Sequence, residues 1–413
     1  MPNPTMKTTF QKQRTVLSFM AFMGCFSAYY THAETVNLRS HPMQRIKEQY
    51  SKTPPAFASK APQVKTQQQD MRIMHIDLDY VFDRDKKQQE RNIQALIQRI
   101  QTIAPNTVFL QAFADPDGNG SADQVYFKNR HIPVRENIFA RVLQDIRKHT
   151  AVTNIYAWMP LLAWEFPSKY NIPYVQTKAK KKGYVRISPF DRTNLQYSTE
   201  IFLDLIQQHR LEGILYHDDI TLSDFEDSNP KAMTVYEAWG FPAQKMIAQP
   251  NHAQQLALSQ HKTAYLDQAA QSVSSILKQQ QPQLRFARNM YAEAVLNPAS
   301  EKWFSQSNAS TYKHYDYNAI MAMPYMEKAE NHREFYLKLI AQAKKYDPDL
   351  SRTIFELQVT DWHHQTQISD AELQDTISLL KQHGVRHIGY YPDDFVQNHP
   401  SAQQLKTAFA QAE

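Results

Sequence analysis

From Met71 onward the chain alternates short runs rich in β-branched and aromatic residues with longer stretches of helical period, and it does so eight times. The strand-like runs are Arg72 to Tyr80, Thr107 to Phe113, Asn154 to Leu161, Gly213 to His217, Leu284 to Tyr291, Ala319 to Pro324, Thr353 to Val359 and His387 to Tyr391. Between them, Gln89 to Ile103 places Ile93, Leu96, Ile97 and Ile100 on one face of a helix. Helices are likewise predicted over Ile138 to Lys148, Tyr197 to Gln208, Thr263 to Gln279, Glu334 to Lys345 and Ala371 to His383. Ser369 and Asp370 start the last of these and Gly384 closes it. Eight strand-helix units predict a single-domain (β/α)8 TIM-type barrel of the α/β class, with a doubly wound open sheet as the alternative architecture.

A barrel of this kind puts its chemistry where strands end. The predicted strand ends carry Asp77, Asp79 and Tyr80; Phe113 and Asp115; Trp158; His217, Asp218 and Asp219; Asn289; Tyr325; Glu356; and Tyr390 and Tyr391. Acids and aromatics converging on one rim suit a sugar polymer, since rings stack on pyranose faces and carboxylates bind hydroxyls or amines and move protons. The densest acidic stretch is His217-Asp218-Asp219 with Asp224, Glu226 and Asp227 beyond it. Crowded carboxylates raise one another's pKa, so one stays protonated while a neighbour stays ionised, as glycoside hydrolysis requires. A solvated acidic loop or helix cap is the bland alternative.

Other chemistries fit less well. Asp115-Pro116-Asp117-Gly118-Asn119-Gly120 begins like a calcium loop, but Tyr126 stands where the bidentate Glu belongs, so a tight polar turn is expected. His217, His363 and His364 do not assemble a metal-ligand spacing, and no metal or cofactor is expected. With a total of 8 glycines there is no Gly-x-Gly-x-x-Gly or phosphate loop, and no Gly-x-Ser-x-Gly. Lys178 to Lys182 reads as a solvated basic loop.

The ends of the chain are simpler. Residues 1–33 combine Lys7, Lys12 and Arg14, an apolar run from Val16 to Tyr30 and a small-residue end at Ala33, the layout of a secretory signal peptide. Cys25 after Gly24 raises lipid anchoring as a second possibility, although Phe22 and Met23 fit a lipidation signal poorly. Residues 34–70 read as a linker or extended arm, 71–400 as the barrel and 401–413 as a tail. The 46 basic and 41 acidic residues give a net charge of +5 and no nucleic-acid footprint. Without residues 1–33 the balance is 43 against 41, so the apparent basicity is partly an export signal. An exported, periplasmic protein without a transmembrane span in its mature chain is expected.

These same segments resemble a known family. Met74 to Asp83, Leu110 to Gly118, Tyr156 to Pro160, Ser188 to Asp191, Leu215 to Asp219, Ser223 to Asp227, Ala319 to Tyr325 and Gly389 to Asp393 are similar, in chain order, to the C-terminal glycoside hydrolase domain of the PgaB family. The resemblance implies a (β/α)8 barrel that cleaves partially deacetylated poly-β-1,6-N-acetyl-D-glucosamine internally during biofilm exopolysaccharide export. It implies Asp218, Asp219 and Asp224 as catalytic carboxylates, Asp219 or Asp224 being the general acid, with Asp77, Asp79 and Asp115 along the groove. Assistance by the substrate's N-acetyl group in place of a protein nucleophile is compatible with it. Tyr80, Phe113, Trp158, His217, Glu226, Asn289, Tyr325, Glu356, Tyr390 and Tyr391 complete the expected substrate-binding set. The family carries a metal-dependent deacetylase domain upstream, for which residues 1–70 leave no room, so a separate deacetylase is expected as a partner, along with an outer-membrane export porin.

Overall fold

The computed structural model describes residues 69–177, 184–242 and 252–410. The predicted leader, Cys25, most of the arm and the lysines at 178–182 lie outside the described residues. Eight parallel strands close into a barrel: β1 Arg72–Ile76, β2 Thr107–Gln111, β3 Asn154–Met159, β4 Gly213–Tyr216, β5 Arg285–Tyr291, β6 Tyr317–Ala322, β7 Thr353–Gln358 and β8 His387–Tyr391. Each pairs with its neighbour in chain order, and β1 pairs with β8 through Arg72↔Ile388, Ile73↔Gly389 and Met74↔Tyr390. The fold is the (β/α)8 barrel, not the open sheet.

One principal helix follows each strand: α1 Lys86–Ile103, α2 Phe139–His149, α3 Arg192–Gln208, α4 His252–Gln280, α5 Asn308–His314, α6 His332–Lys344, α7 Asp370–Gln382 and α8 Ala402–Ala410. Helix α1 buries Ile93, Leu96, Ile97, Ile100 and Ile103 on its barrel face. Ser369 caps α7 by accepting from the Glu372 amide, and Gly384 (φ 83°) lets the chain turn out of it.

Several elements differ from expectation: helices Pro230–Ala238 and Ala292–Leu296 are additional, and α4 starts at His252 instead of Thr263. The first strand stops at Ile76 because Asp77 caps a short helical turn, Leu78–Val81, by accepting from the Asp79 amide at 2.8 Å. Helix α5 was not anticipated, since Asn308–His314 is too short and polar to show a period. The expected tail is α8, which packs Ala402, Leu405, Ala408 and Phe409 inward. It belongs to the barrel, and its spacing is that of an amphipathic helix.

Strand residues alternate between the barrel axis and the helix layer. Ring contacts across the axis identify the inward set: His75, Phe109, Tyr156, Trp158, Tyr317, His387 and Tyr391. Inward Gly213 lies under Tyr156, whose ring would be 2.1 Å from any added Cβ, so a side chain there would collide with the core. Among the described residues no helix is long and apolar enough to cross a membrane.

Candidate active site

The inward residues at the C-terminal ends of the strands form one continuous cluster. Trp158 of β3 stacks on His217 just beyond β4, with ring centroids 5.2 Å apart and planes 13° from parallel. Phe113 meets both edge-on. Trp158 also meets His75 of β1 at 5.4 Å and Tyr391 of β8 at 5.5 Å. Deeper in the barrel, Asn289 of β5 donates to Glu356 of β7 at 2.8 Å, and the other Glu356 oxygen faces His75 Nε2 at 3.4 Å.

Asp218 is the charged centre of this mouth. One carboxylate oxygen accepts from Tyr291 at 2.6 Å and from Tyr184 at 3.3 Å, while the other lies 2.5 Å from His217 Nδ1. Burial alone would raise its pKa, but His217 and the two tyrosine hydroxyls outweigh burial and hold it below the ordinary value. His217 shifts reciprocally: burial works to lower its pKa, and the Asp218 carboxylate raises it above the ordinary value. Each partner thus favours the charged form of the other.

The other expected carboxylates have different settings. Asp219 is fully buried and grips the β3–α3 loop, accepting from the Leu162 and Ala163 amides at 2.5 and 2.6 Å. Burial raises its pKa despite these donors and the nearby His217. Half-buried Asp224 is also raised by burial, while Lys262 and Lys302 pull the other way. Lys262, buried on α4, donates to the Ser223 carbonyl at 3.0 Å and to the Glu226 carbonyl, pinning the acidic loop to the helix.

Along the rim, burial raises the Tyr391 and Tyr80 phenols, and the nearby Asp77 carboxylate adds to both shifts. Asp79 is committed to its own fold, accepting from Tyr126 at 2.6 Å and Arg135 at 2.7 Å. Asp117 accepts from the Asn119 amide in the expected tight polar turn, and Asp115, expected along the groove, is drawn into the same turn by accepting from the Gly118, Asn119 and Gly120 amides. Oxygens of Asp115, Asp117 and Asp123 approach within 4.8 Å of one another. Burial, with these neighbouring acids, pushes Asp115 and Asp123 up to about 6. The turn also makes room for Tyr184: a Cβ on Gly120 would sit 2.1 Å from its ring.

Three expected groove residues are not brought to this mouth. Glu226 is buried in an ion pair with Arg186 at 2.7 Å. Tyr325 turns toward α7 and donates to Glu372 at 2.8 Å. Tyr390 faces the helix layer, donating to Asp393 at 2.8 Å, because its neighbour Tyr391 takes the inward position. Sequence reasoning in turn missed His75, Tyr184 and Tyr291 as site residues. Two-residue alternation finds His75 from Asp77 and Tyr291 from Asn289, whereas Tyr184 carries no local signal.

The comparisons with known proteins agree with this geometry. Residues 75–391 match the family model described as hypothetical glycosyl hydrolase family 13. The chain is 38% identical over 372 residues to the poly-β-1,6-N-acetyl-D-glucosamine N-deacetylase of Escherichia coli strain K12, covering 87% of this chain and 55% of that protein. It thus spans about half the length of the curated relatives it matches. The PgaB (BpsB) glycoside hydrolase domain from Bordetella bronchiseptica superposes with a TM-score of 0.77 at 38% identity, covering 82% of this chain and 98% of that one. A β-galactosidase from Rahnella sp. R3 shares the fold alone, with a TM-score of 0.56 and 10% identity over 85% of this chain and 57% of the other. The chain belongs to hypothetical glycosyl hydrolase family 13 and is a member of the PgaB glycoside hydrolase domain family.

Proposed function

We propose that this protein is an exported, endo-acting glycoside hydrolase that cleaves partially deacetylated poly-β-1,6-N-acetyl-D-glucosamine. The observation that carries the reading is Asp218, a carboxylate kept ionised by Tyr291, Tyr184 and His217 at the end of β4, beside the stacked rings of Trp158 and His217. Glycosidic cleavage develops positive charge at the anomeric carbon, and a fixed anion next to a ring-stacking surface stabilises it. The same anion would hold a positively charged intermediate formed with the substrate's own N-acetyl group. The leaving oxygen needs a proton, for which Asp219 and Asp224 are the candidates, both with carboxyls raised by burial. The E. coli relative is named for the same polymer, and the protonated amines of its deacetylated units suit an acidic rim.

The test is a mass-spectrometric product assay on defined, partly deacetylated oligosaccharides. The protein should shorten them; Asp218→Asn should abolish shortening, and Asp219→Asn and Asp224→Asn identify the proton donor. Activity surviving all three changes rejects the site.

A second reading is a non-catalytic barrel that guides the polymer through the periplasm toward an outer-membrane porin. The complete burial of Asp219 favours it, because a sealed carboxyl cannot reach a leaving oxygen without movement. Binding without product after long incubation would support that role. Deacetylation, for which the E. coli relative is named, would show as chelator-sensitive acetate release.

A further inference from the structure

The segment that follows β4, residues 219–227, carries Asp219 and Asp224 but forms no helix or strand. It is nonetheless sealed, since Ile220, Thr221, Leu222, Glu226 and Asp227 are all buried. Buried carbonyls need donors, and without a ladder these come from side chains. Most of them here are cations. Arg288 of β5 donates to the Ile220 carbonyl at 2.6 Å, Arg186 of the β3–α3 loop to the Thr221 carbonyl, and Lys262 of α4 to the Ser223 carbonyl at 3.0 Å and to the Glu226 carbonyl. The Leu222 carbonyl takes the Ser305 hydroxyl at 2.6 Å. Arg288, Arg186 and Lys262 are 0%, 4% and 1% exposed.

The three cations are not equivalent. Arg288 pairs with Asp267 at 2.6 Å and Arg186 with Glu226 at 2.7 Å, whereas Lys262 bridges two carbonyls. Those carbonyls are the two ends of one tight turn, which the Glu226 amide closes by donating to the Ser223 carbonyl at 3.1 Å. Asp224 and Phe225 are the central residues of that turn. Asp224 therefore sits at the tip of a turn gripped at both ends by one ammonium on α4. Burial pushes this ammonium down to about 8 against the pull of Asp224, Glu226 and Asp227, so it keeps its charge at neutral pH and its hydrogen bonds are charge-assisted. Burying a charge is costly where an apolar side chain would pack without that cost. What the lysine adds is a fixed direction for the carbonyls on either side of Asp224. We propose that Lys262 is a positioning residue, which holds the turn so that Asp224 is presented at a set distance and direction from Asp218 before substrate arrives. This rests on the hydrolase reading above, and it adds that the acid loop is oriented from the helix layer behind it.

Two measurements on the native chain, Lys262→Met and a control, Lys381→Met, test this. Lys381 likewise grips two carbonyls, those of Ala408 and Phe409, but at the end of α8. Hydrogen exchange is followed by mass spectrometry in peptides covering 220–227, where the Ser223, Glu226 and Asp227 amides are all hydrogen-bonded. Lys262→Met should speed exchange there by about tenfold or more and leave peptides from β1 and β8 unchanged, and Lys381→Met should leave 220–227 unchanged. In the product assay Lys262→Met should lower kcat by about tenfold or more and change KM by less than about twofold, because a displaced Asp224 slows the chemical step without removing a substrate contact. Unaltered exchange in 220–227 overturns the proposal, and so does faster exchange with native kcat. Where Lys262→Met fails to fold, as judged by its thermal unfolding, Lys262→Gln decides by the same two measurements. Absence of product from the native chain would reject the hydrolase reading, and the exchange result would still decide whether Lys262 fixes the turn.

Discussion

Tyr291, the last residue of β5, donates its hydroxyl to Asp218 at the end of β4 across 2.6 Å, tying two neighbouring strand ends to one buried charge. That bond favours the ionised carboxylate, so Tyr291→Phe should raise the Asp218 pKa. The acid limb of the pH-rate profile should then move to higher pH, with activity near neutrality reduced about tenfold. An unmoved acid limb in the product assay would mean that Asp218 ionisation does not control turnover.

The His217–Asp218 pair gives stability a window in pH. Asp218 is depressed, so its contribution is present above its ordinary pKa and disappears as pH falls through its folded value. His217 is raised, so its contribution is complete below its ordinary pKa and disappears as pH rises through its folded value. His217→Gln should cost about 3 kcal/mol within that window, by leaving a buried charge less well paired, and should flatten the alkaline side of a plot of denaturant-derived stability against pH.

Gly120 stands at φ 90° with the Tyr184 ring where a Cβ would be. Gly120→Ala should displace Tyr184 from Asp218 and strain the turn that binds Asp115. A stability loss above about 1 kcal/mol is expected, together with lower activity. Tyr184→Phe should lower activity and leave the turn intact, and comparing melting temperatures of the two variants separates the effects.

Arg99 on α1 reaches Asp393 beyond β8 at 2.8 Å, the Asn398 side chain at 2.8 Å and the Pro400 carbonyl at 2.6 Å. Arg99→Met alone should cost about 3–5 kcal/mol in urea unfolding, because it strands the buried Asp393 charge. Adding Asp393→Asn should recover part of the loss. Failure to recover would show that the guanidinium acts through Asn398 and Pro400 instead.

Much of this architecture is legible in the sequence because a parallel barrel strand needs a short β-branched run and a following helix needs an apolar stripe. All eight strands carry that signal. The site is legible only to the level of strand ends. Which of Tyr390 and Tyr391 faces the axis depends on register, and register is set by pairing with β1 and β7, which no local pattern reveals. Asp218, Asp219, Glu226 and Asp227 look alike as a run of acids. Tertiary partners separate them: tyrosine hydroxyls for the first, loop amides for the second, Arg186 for the third, and Ser188 with the Gln176 and Asn229 amides for the fourth. Short α5 is stabilised by what it packs on, so its own residues announce little.

The aromatic floor joins His75 of the first strand to Tyr391 of the last, at ring centroids 5.5 Å apart. Nearly every other barrel residue is therefore translated between the two halves of one contact. This aromatic surface cannot exist on a partly synthesised chain, and its appearance can serve as a timer for completed folding: any binding that depends on it should lag behind the burial of the strands that are made first.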